Sequence, residues 1–350
     1  MTALDALRLR PGNILAEKYL IEHVLGEGAM GTVLAAQNIA TGGRVALKCL
    51  LPTLHDDPAI VARFRREARA TSRLRSEHIA RVLDHGEAVR ATGGPPVSYL
   101  VMEYLEGSDL RTQLQWLVKL SVRRASEYVS QACVGLSEAH ALGIVHRDLK
   151  PANLFVTKRS DGSTLIKLLD FGIAKFDSPN ASGDRLDMTE YASTMGSLQY
   201  MAPEQILDAR SVDGRADIWS LGVVLYQLVT GKKPFVGEAI TDVAYEVLTG
   251  TPRPLHEALP NVSPEFARVV MHCLEKKREH RFPNIVELAR ALAPFAQRHA
   301  SAPRAQLSIR TAEISPADAE WIRRTTMEEQ SADEPISVDA EPPTRRVPAL

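Results

Sequence analysis

The sequence predicts an α+β protein of two lobes, a small β-rich one with one main helix followed by a larger helical one. Three observations predict it. β-patterned runs cluster near 19–25, 32–38, 44–50, 81–89 and 97–103, with a single helical run around 57–74 among them. After residue 104 the apolar spacing becomes helical, as in 121–142 and 217–230. Past about residue 300, Ser, Pro, Ala and acidic residues take over, including Glu328-Glu329 and Pro342-Pro343, a composition too poor in apolar surface to fold alone. The implied divisions are an extension over 1–18, a small lobe over 19–103, a hinge and large lobe over 104–296, and a disordered tail over 297–350. In that tail, 317–324 could form a short docking helix exposing Trp321, but a plain linker is the better reading.

The first chemical signal is Gly26-Glu27-Gly28-Ala29-Met30-Gly31. Alone it fits a dinucleotide fingerprint, an ordinary hairpin or a flap over nucleotide phosphates. A dinucleotide site needs a helix straight after the glycines. Gly31-Thr32-Val33-Leu34-Ala35-Ala36 instead reads as a second strand, which favours the flap. Val45-Ala46-Leu47-Lys48 is a strand ending in a cation, seventeen positions beyond Gly31. Such a lysine either faces a cleft or is simply solvated. Asp56-Asp57-Pro58 is a helix-start signal. In that helix Ile60, Phe64 and Glu67 share a face, and burying Glu67 would require a cation. With Arg63, Arg65, Arg66 and Arg69 around it, a solvated charge face is the simpler reading of Glu67 from this helix alone. Gly93-Gly94-Pro95-Pro96 marks the turn between the last two strands.

The most informative stretch is His146-Arg147-Asp148-Leu149-Lys150-Pro151-Ala152-Asn153, between a helix ending near Gly143 and a strand at Leu154-Phe155-Val156. It places a base, a cation and a metal-binding amide on one loop, the three parts phosphoryl transfer requires. Asp148 can orient and deprotonate a hydroxyl, Lys150 can neutralise charge on a moving phosphate, and Asn153 offers a neutral oxygen to a cation. Asp170-Phe171-Gly172, seventeen residues after Asn153 and following the apolar strand 165–169, supplies the acidic ligand that Asn153 lacks. Gly196-Ser197-Leu198-Gln199-Tyr200-Met201-Ala202-Pro203-Glu204 and Asp217-Ile218-Trp219-Ser220-Leu221-Gly222 follow in order.

Taken together, these strings resemble the eukaryotic-type (Hanks-type) protein kinases, in the manner of a bacterial soluble member, over roughly residues 19 to 295. The resemblance implies the two-lobed protein kinase fold, ATP and Mg²⁺ as cofactors with Mn²⁺ as an alternative, and protein substrates. It makes Lys48 the contact to the α- and β-phosphates and Glu67 its ion-pair partner, overturning the solvated reading of Glu67. Asp148 corresponds to the catalytic base, Lys150 to the γ-phosphate contact, and Asn153 and Asp170 to the metal ligands. Gly26, Gly28 and Gly31 correspond to the phosphate flap. Glu103 and Leu105 correspond to the adenine-binding hinge, Met102 to the gatekeeper, Val33, Ala46 and Phe155 to the purine walls, and Asp109 to a ribose contact. Core packing explains those apolar positions equally well. Lys150 is the pattern of Ser/Thr-directed members. Ser197 stands where such kinases most often have Thr, its hydroxyl placed to bridge Asp148 and Lys150. Thr71 stands where many relatives have an apolar residue, which leaves the helix poorly docked in an inactive state. Arg147 calls for a phosphate on the 35-residue segment from Asp170 to Glu204, with Thr194 and Ser193 the leading sites and Thr189 next. Arg281 resembles the arginine that pairs with Glu204. A homodimer through the small lobe is allowed by family analogy alone.

Composition agrees with an enzyme of this kind. A chain of 350 residues, 45% hydrophobic, can bury a two-lobed core, and a net charge of −1 argues against a dedicated nucleic-acid binder. Cys49, Cys133 and Cys273 are scattered without metal spacing, which points to free thiols in a reducing compartment. Residues 1–12 lack the apolar run of a signal peptide. The most apolar stretch, 218–229, is too short to span a membrane and reads as a buried helix, so a cytoplasmic location is expected. Three function classes compete: an active protein Ser/Thr kinase, which leads; a pseudokinase scaffold, which would normally lack Lys48, Asp148 or Asp170; and a small-molecule phosphotransferase, which rarely has the Ala-Pro-Glu string.

Overall fold

The structure is a computed structural model that describes residue 7 and residues 9–28, 31–88, 96–172, 195–208 and 211–297. Thr189, Ser193 and Thr194, the 93–95 part of the predicted turn and the tail from 298 onward lie outside the described residues.

The small lobe is an antiparallel sheet of six strands, β1 (Ile14–Leu15), β2 (Tyr19–Glu27), β3 (Gly31–Asn38), β4 (Arg44–Leu50), β5 (Val82–Ala88) and β6 (Val97–Glu103), in the order β1-β2-β3-β4-β6-β5. Register sorts its side chains by function. Val33 lies opposite Lys48, Ala35 opposite Ala46, Ala46 opposite Met102 and Lys48 opposite Leu100, so these residues share one face. The other face carries Leu34, Leu47, Tyr99 and Val101, packed with Leu7, Leu9 and Leu15. The stretch before Tyr19, set apart on sequence grounds as an extension, therefore supplies apolar cover to the outer side of the sheet.

Among the described residues, α1 (Pro58–Thr71) is the one helix of eight or more residues in this lobe. Asp57 caps it by accepting the Ala59 amide at 2.8 Å, and Pro58 occupies the first turn, where its missing N–H costs nothing. Val61, Phe64 and Ala68 pack with Leu50 and Leu100 on the inner side of the sheet, which carries buried Glu67 inward on the same face.

The large lobe is built from α2 (Leu110–Leu117), α3 (Val122–Ala141), α4 (Arg215–Thr230), α5 (Ile240–Leu248), α6 (Pro264–Cys273) and α7 (Ile285–Ala296), with a three-stranded sheet of β7 (Ser108–Asp109), β8 (Leu154–Lys158) and β9 (Thr164–Leu168). Helix α4 is apolar nearly all round and buried nearly all round, which is the behaviour expected of such a helix inside a large core. No described helix is long and apolar enough to cross a membrane. Trp219 of α4 stacks on Phe235 with ring centres 5.4 Å apart, and the Arg281 guanidinium lies 5.0 Å from the Trp219 ring.

Two buried charges fix this lobe. Arg281 holds Glu204 with two bonds, at 2.6 and 2.8 Å, and donates further to the carbonyls of Glu275, Lys276 and Arg215 at 2.8, 3.1 and 3.0 Å. The guanidinium fork is thus satisfied on every side, the condition under which burying it is tolerable. The pairing of Arg281 with Glu204 is as the sequence implies. Asp217, at the start of α4, accepts the amides of His146 and Arg147, both at 2.9 Å, and His140 Nε2 at 2.7 Å. Burial alone would raise its pKa. The hydrogen bond and charge of His140, with the field of His146 and its amide, outweigh burial and hold the carboxyl below the usual range.

Removing one partner of the buried Arg281–Glu204 pair leaves the other uncompensated. Arg281→Ala is expected to lower unfolding free energy by about 3–5 kcal/mol, read from the urea midpoint. For Asp217 the folded pKa lies below the unfolded one, so its contribution is complete above about pH 4 and disappears as pH falls through the folded value. The stability gap between the parent and Asp217→Asn should therefore shrink on acidification from pH 6 to pH 3; a gap that widened would contradict the assignment.

Candidate active site

β2 and β3 turn over at the glycine run. Gly28 and Gly31 exchange backbone hydrogen bonds at 2.9 and 3.3 Å, and Glu27 lies opposite Thr32, so the glycines form a hairpin flap rather than a helix start. Gly31 permits no side chain, since a Cβ there would come 2.2 Å from the Cys49 carbonyl oxygen. At Gly26 a Cβ would meet nothing within 4 Å among the described atoms, so space stays open over the flap.

Beneath the flap, Lys48 Nζ binds Glu67 Oε1 at 3.0 Å and Asp170 Oδ1 at 2.9 Å. Burial opposes the lysine charge, but the fields of Asp170 and Glu67 exceed that penalty and hold its pKa well above the ordinary range. Glu67 is therefore an inward ion-pair partner and not part of the solvated arginine face. Thr71, one turn on, is buried and turns its hydroxyl back to the Glu67 carbonyl at 2.7 Å. A small cavity lined by Glu67, Thr71, Leu100, Met102, Asp170 and Phe171 adjoins the pair, yet the helix is docked.

The loop 146–153 and the turn 170–172 are stitched into one unit. The His146 carbonyl accepts the amides of Asp148 and Gly172 at 2.9 and 2.8 Å, and the Asn153 carbonyl accepts the Leu169 amide at 2.9 Å. A Cβ on Gly172 would lie 2.9 Å from the Asp148 Cβ, so only glycine lets the two strands of this unit touch. His146 is buried and donates from Nε2 to the Leu169 carbonyl at 3.0 Å, while burial pushes its pKa down and keeps the ring neutral. Phe171 packs on it with ring centres 4.5 Å apart. Arg147 and Asp170 take left-handed backbone angles, φ 64° and 47°. Each costs about 1–3 kcal/mol and persists only where neighbours enforce it. For Arg147 those neighbours are Asp217 on its amide and Gln205 Nε2 on its carbonyl at 3.0 Å.

Asp148 is buried, and Lys150 Nζ sits 3.0 Å from its Oδ2 and 2.9 Å from Ser197 Oγ. Lys150 thus joins the base to the segment before Glu204. Asn153 donates its amide nitrogen to the Asp148 carbonyl and carboxylate at 2.8 and 3.1 Å, so its oxygen remains as the atom to offer. With Asp170 that makes a donor set of hard oxygens, suited to Mg²⁺ or Mn²⁺ rather than to a thiophilic ion.

Val33, Ala46 and Met102 share the inner face of the small sheet by strand register, and Phe155 lies on β8, opposite Asp109 of β7. At the hinge, Lys167 Nζ binds Glu103 Oε1 at 2.6 Å and the Glu103 amide donates to the Arg81 carbonyl at 3.0 Å. Leu105 makes no backbone–backbone hydrogen bond among the described residues. Asp109 accepts the Thr112 amide at 2.8 Å and so also caps α2. Sequence reasoning missed His140, Gln205 and the bracing role of Asp217. The available signal was Asp217 itself, an acid opening an otherwise apolar helix.

A search against protein families matches the one described as protein kinase domain over residues 19–291. The chain is 36% identical over 274 residues to serine/threonine-protein kinase PknB of Mycobacterium leprae (strain TN), covering 78% of this chain and 42% of that protein. It is 38% identical over 276 residues to serine/threonine-protein kinase Pkn1 of Myxococcus xanthus, covering 79% and 38%. The chain thus spans less than half the length of these relatives. The crystal structure of the Mycobacterium tuberculosis PknI kinase domain superposes with a TM-score of 0.62 at 29% identity, covering 82% of this chain and all of that one. The matched span encloses flap, ion pair, loop and latch alike, and the chain belongs to the protein kinase domain family.

Proposed function

We propose that this chain is a protein serine/threonine kinase that transfers the γ-phosphate of ATP to hydroxyls of protein substrates, with Mg²⁺ as the working ion and Mn²⁺ able to replace it. The observation that carries this reading is Lys48 bound at once to Glu67 and Asp170, a phosphate-binding cation held between the lobes and beside the acid that would hold the metal. The named relatives are serine/threonine-protein kinases, which agrees with Lys150 two residues after Asp148.

When bound, the metal and nucleotide supply the phosphoryl group and neutralise its charge. Asn153 and Asp170 hold the metal, Lys48 holds the inner phosphates, and the flap from Gly26 to Gly31 covers them with backbone amides. Val33, Ala46, Met102 and Phe155 shape the purine slot, with Glu103 and Leu105 offering backbone groups and Asp109 the ribose contact. The Asp148 carboxylate would orient the acceptor hydroxyl and take its proton as the acceptor oxygen bonds to the γ-phosphorus and the γ-phosphorus–oxygen bond to ADP breaks, ADP leaving with that electron pair, while Lys150 steadies the negative charge beside it. The intact set disfavours a pseudokinase, and the Glu204–Arg281 pair, which ties the segment ending at Glu204 to the large lobe, disfavours a small-molecule phosphotransferase. Arg147 beside the base favours activation by phosphate on Ser193, Thr194 or Thr189, added by the enzyme itself.

Asp148→Asn removes the proton acceptor and keeps the shape. Phosphate transfer to a generic protein should fall about 10²–10⁴-fold while nucleotide binding by fluorescence titration persists. Parent-like transfer by this variant would end the mechanism. Lys48→Met should cut kcat by about 10²-fold, and Glu67→Gln should lose less because its amide oxygen can still accept from Lys48. A loss for Glu67→Gln larger than that for Lys48→Met in a steady-state assay would show that Glu67 does not act through Lys48.

A further inference from the structure

Lys233 lies in the loop after α4, which is held in place by Gly231 at φ 74° and by the Thr230 hydroxyl accepting the Lys232 amide at 3.0 Å. It is half-buried. Its ammonium donates to Gln199 Oε1 and stands 5.3 Å from the centre of the Tyr200 ring. Among the described residues no carboxylate lies within ion-pair distance of it. The other lysines of the cleft each have one: Lys48 has Glu67 and Asp170, Lys150 has Asp148, and Lys167 has Glu103. An ammonium that has lost part of its hydration is poorly repaid by one neutral amide, and burial alone lowers its pKa.

Position gives this unpaired charge a use. Gln199 stands two residues beyond Ser197, whose hydroxyl is 2.9 Å from Lys150 Nζ, itself 3.0 Å from Asp148. Asp148 is thus linked to Lys233 through Lys150, Ser197 and Gln199, with at most about 7 Å of backbone between Ser197 and Gln199, which sets Lys233 against the segment that borders the acceptor position. Tyr200 beside it donates to the neutral amide of Gln227 at 2.6 Å, and exposed Lys232 adds a second positive charge next in the chain.

We propose that Lys233 forms an anion-selecting subsite beside the acceptor position, taking the carboxylate of an Asp or Glu within about three residues of the hydroxyl to be phosphorylated. This rests on the kinase reading above and names its substrate class: acidic Ser/Thr segments of proteins. The chain carries such segments itself. Thr189 is flanked by Asp187 and Glu190, Thr326 is followed by Glu328 and Glu329, and Ser331 by Asp333 and Glu334.

The test uses the full chain, labelled ATP and three synthetic peptides: one copying residues 320–332, one with Glu328→Gln and Glu329→Gln, and one with Lys at both positions. The parent should favour the acidic peptide over the Gln form by about tenfold in kcat/KM, expressed in KM. Lys233→Met should erase that preference and Lys233→Glu should reverse it toward the Lys peptide; each is a ratio within one variant, so partial loss of folded enzyme cancels. A parent that labels itself and treats the acidic and Gln peptides alike overturns the subsite and leaves the kinase reading intact. A tenfold preference retained by Lys233→Met likewise overturns the subsite. A parent that labels neither itself nor any peptide overturns both.

Discussion

The ammonium of Lys48 is the point on which both lobes are balanced. It stands on a strand of the small lobe, Glu67 on the helix of that lobe and Asp170 at the end of the β8–β9 hairpin, so one cation ties three separate elements. Such a cation is costly to bury and costly to leave half paired. The position of α1 and the conformation of the 170–172 turn are therefore coupled through charge rather than through apolar contact. The cavity next to Thr71 fits this picture, because apolar packing there is incomplete while the ion pair is short.

A second constraint acts from below. The reacting loop holds a non-glycine residue in a left-handed conformation, and nothing in its own sequence would keep it there. Asp217 does so by accepting two consecutive amides from a fully buried position, on a helix that the rest of the lobe surrounds. Strain in the loop is thus borne by the most rigid helix of the molecule. The site gains a fixed carboxylate at Asp148 and a fixed amide at Asn153, the preorganisation that electrostatic catalysis depends on.

Much of this was legible in the sequence because short motifs report local geometry. The glycine run announced its hairpin through the β-branched residues after it, and Asp57-Pro58 announced the start of α1 within a residue. Glu67 was not legible from its helix. Its arginine neighbours suggest solvent, and only the partner brought in by β4 reverses that. Likewise Asp217, His140 and Gln205 act across separations of 58 to 77 residues, which no local pattern encodes. The Lys167–Glu103 pair at the hinge escaped for the same reason.

The outer side of the small sheet has a consequence for how the protein can be handled. Its apolar face is roofed by Leu7, Leu9 and Leu15, all upstream of residue 19, where similarity to the family begins. A fragment trimmed to that similarity would bare Leu34, Leu47 and Val101 to water and invite self-association. The family match and the folding unit have different edges here, and Leu7, Leu9 and Leu15 belong to the latter.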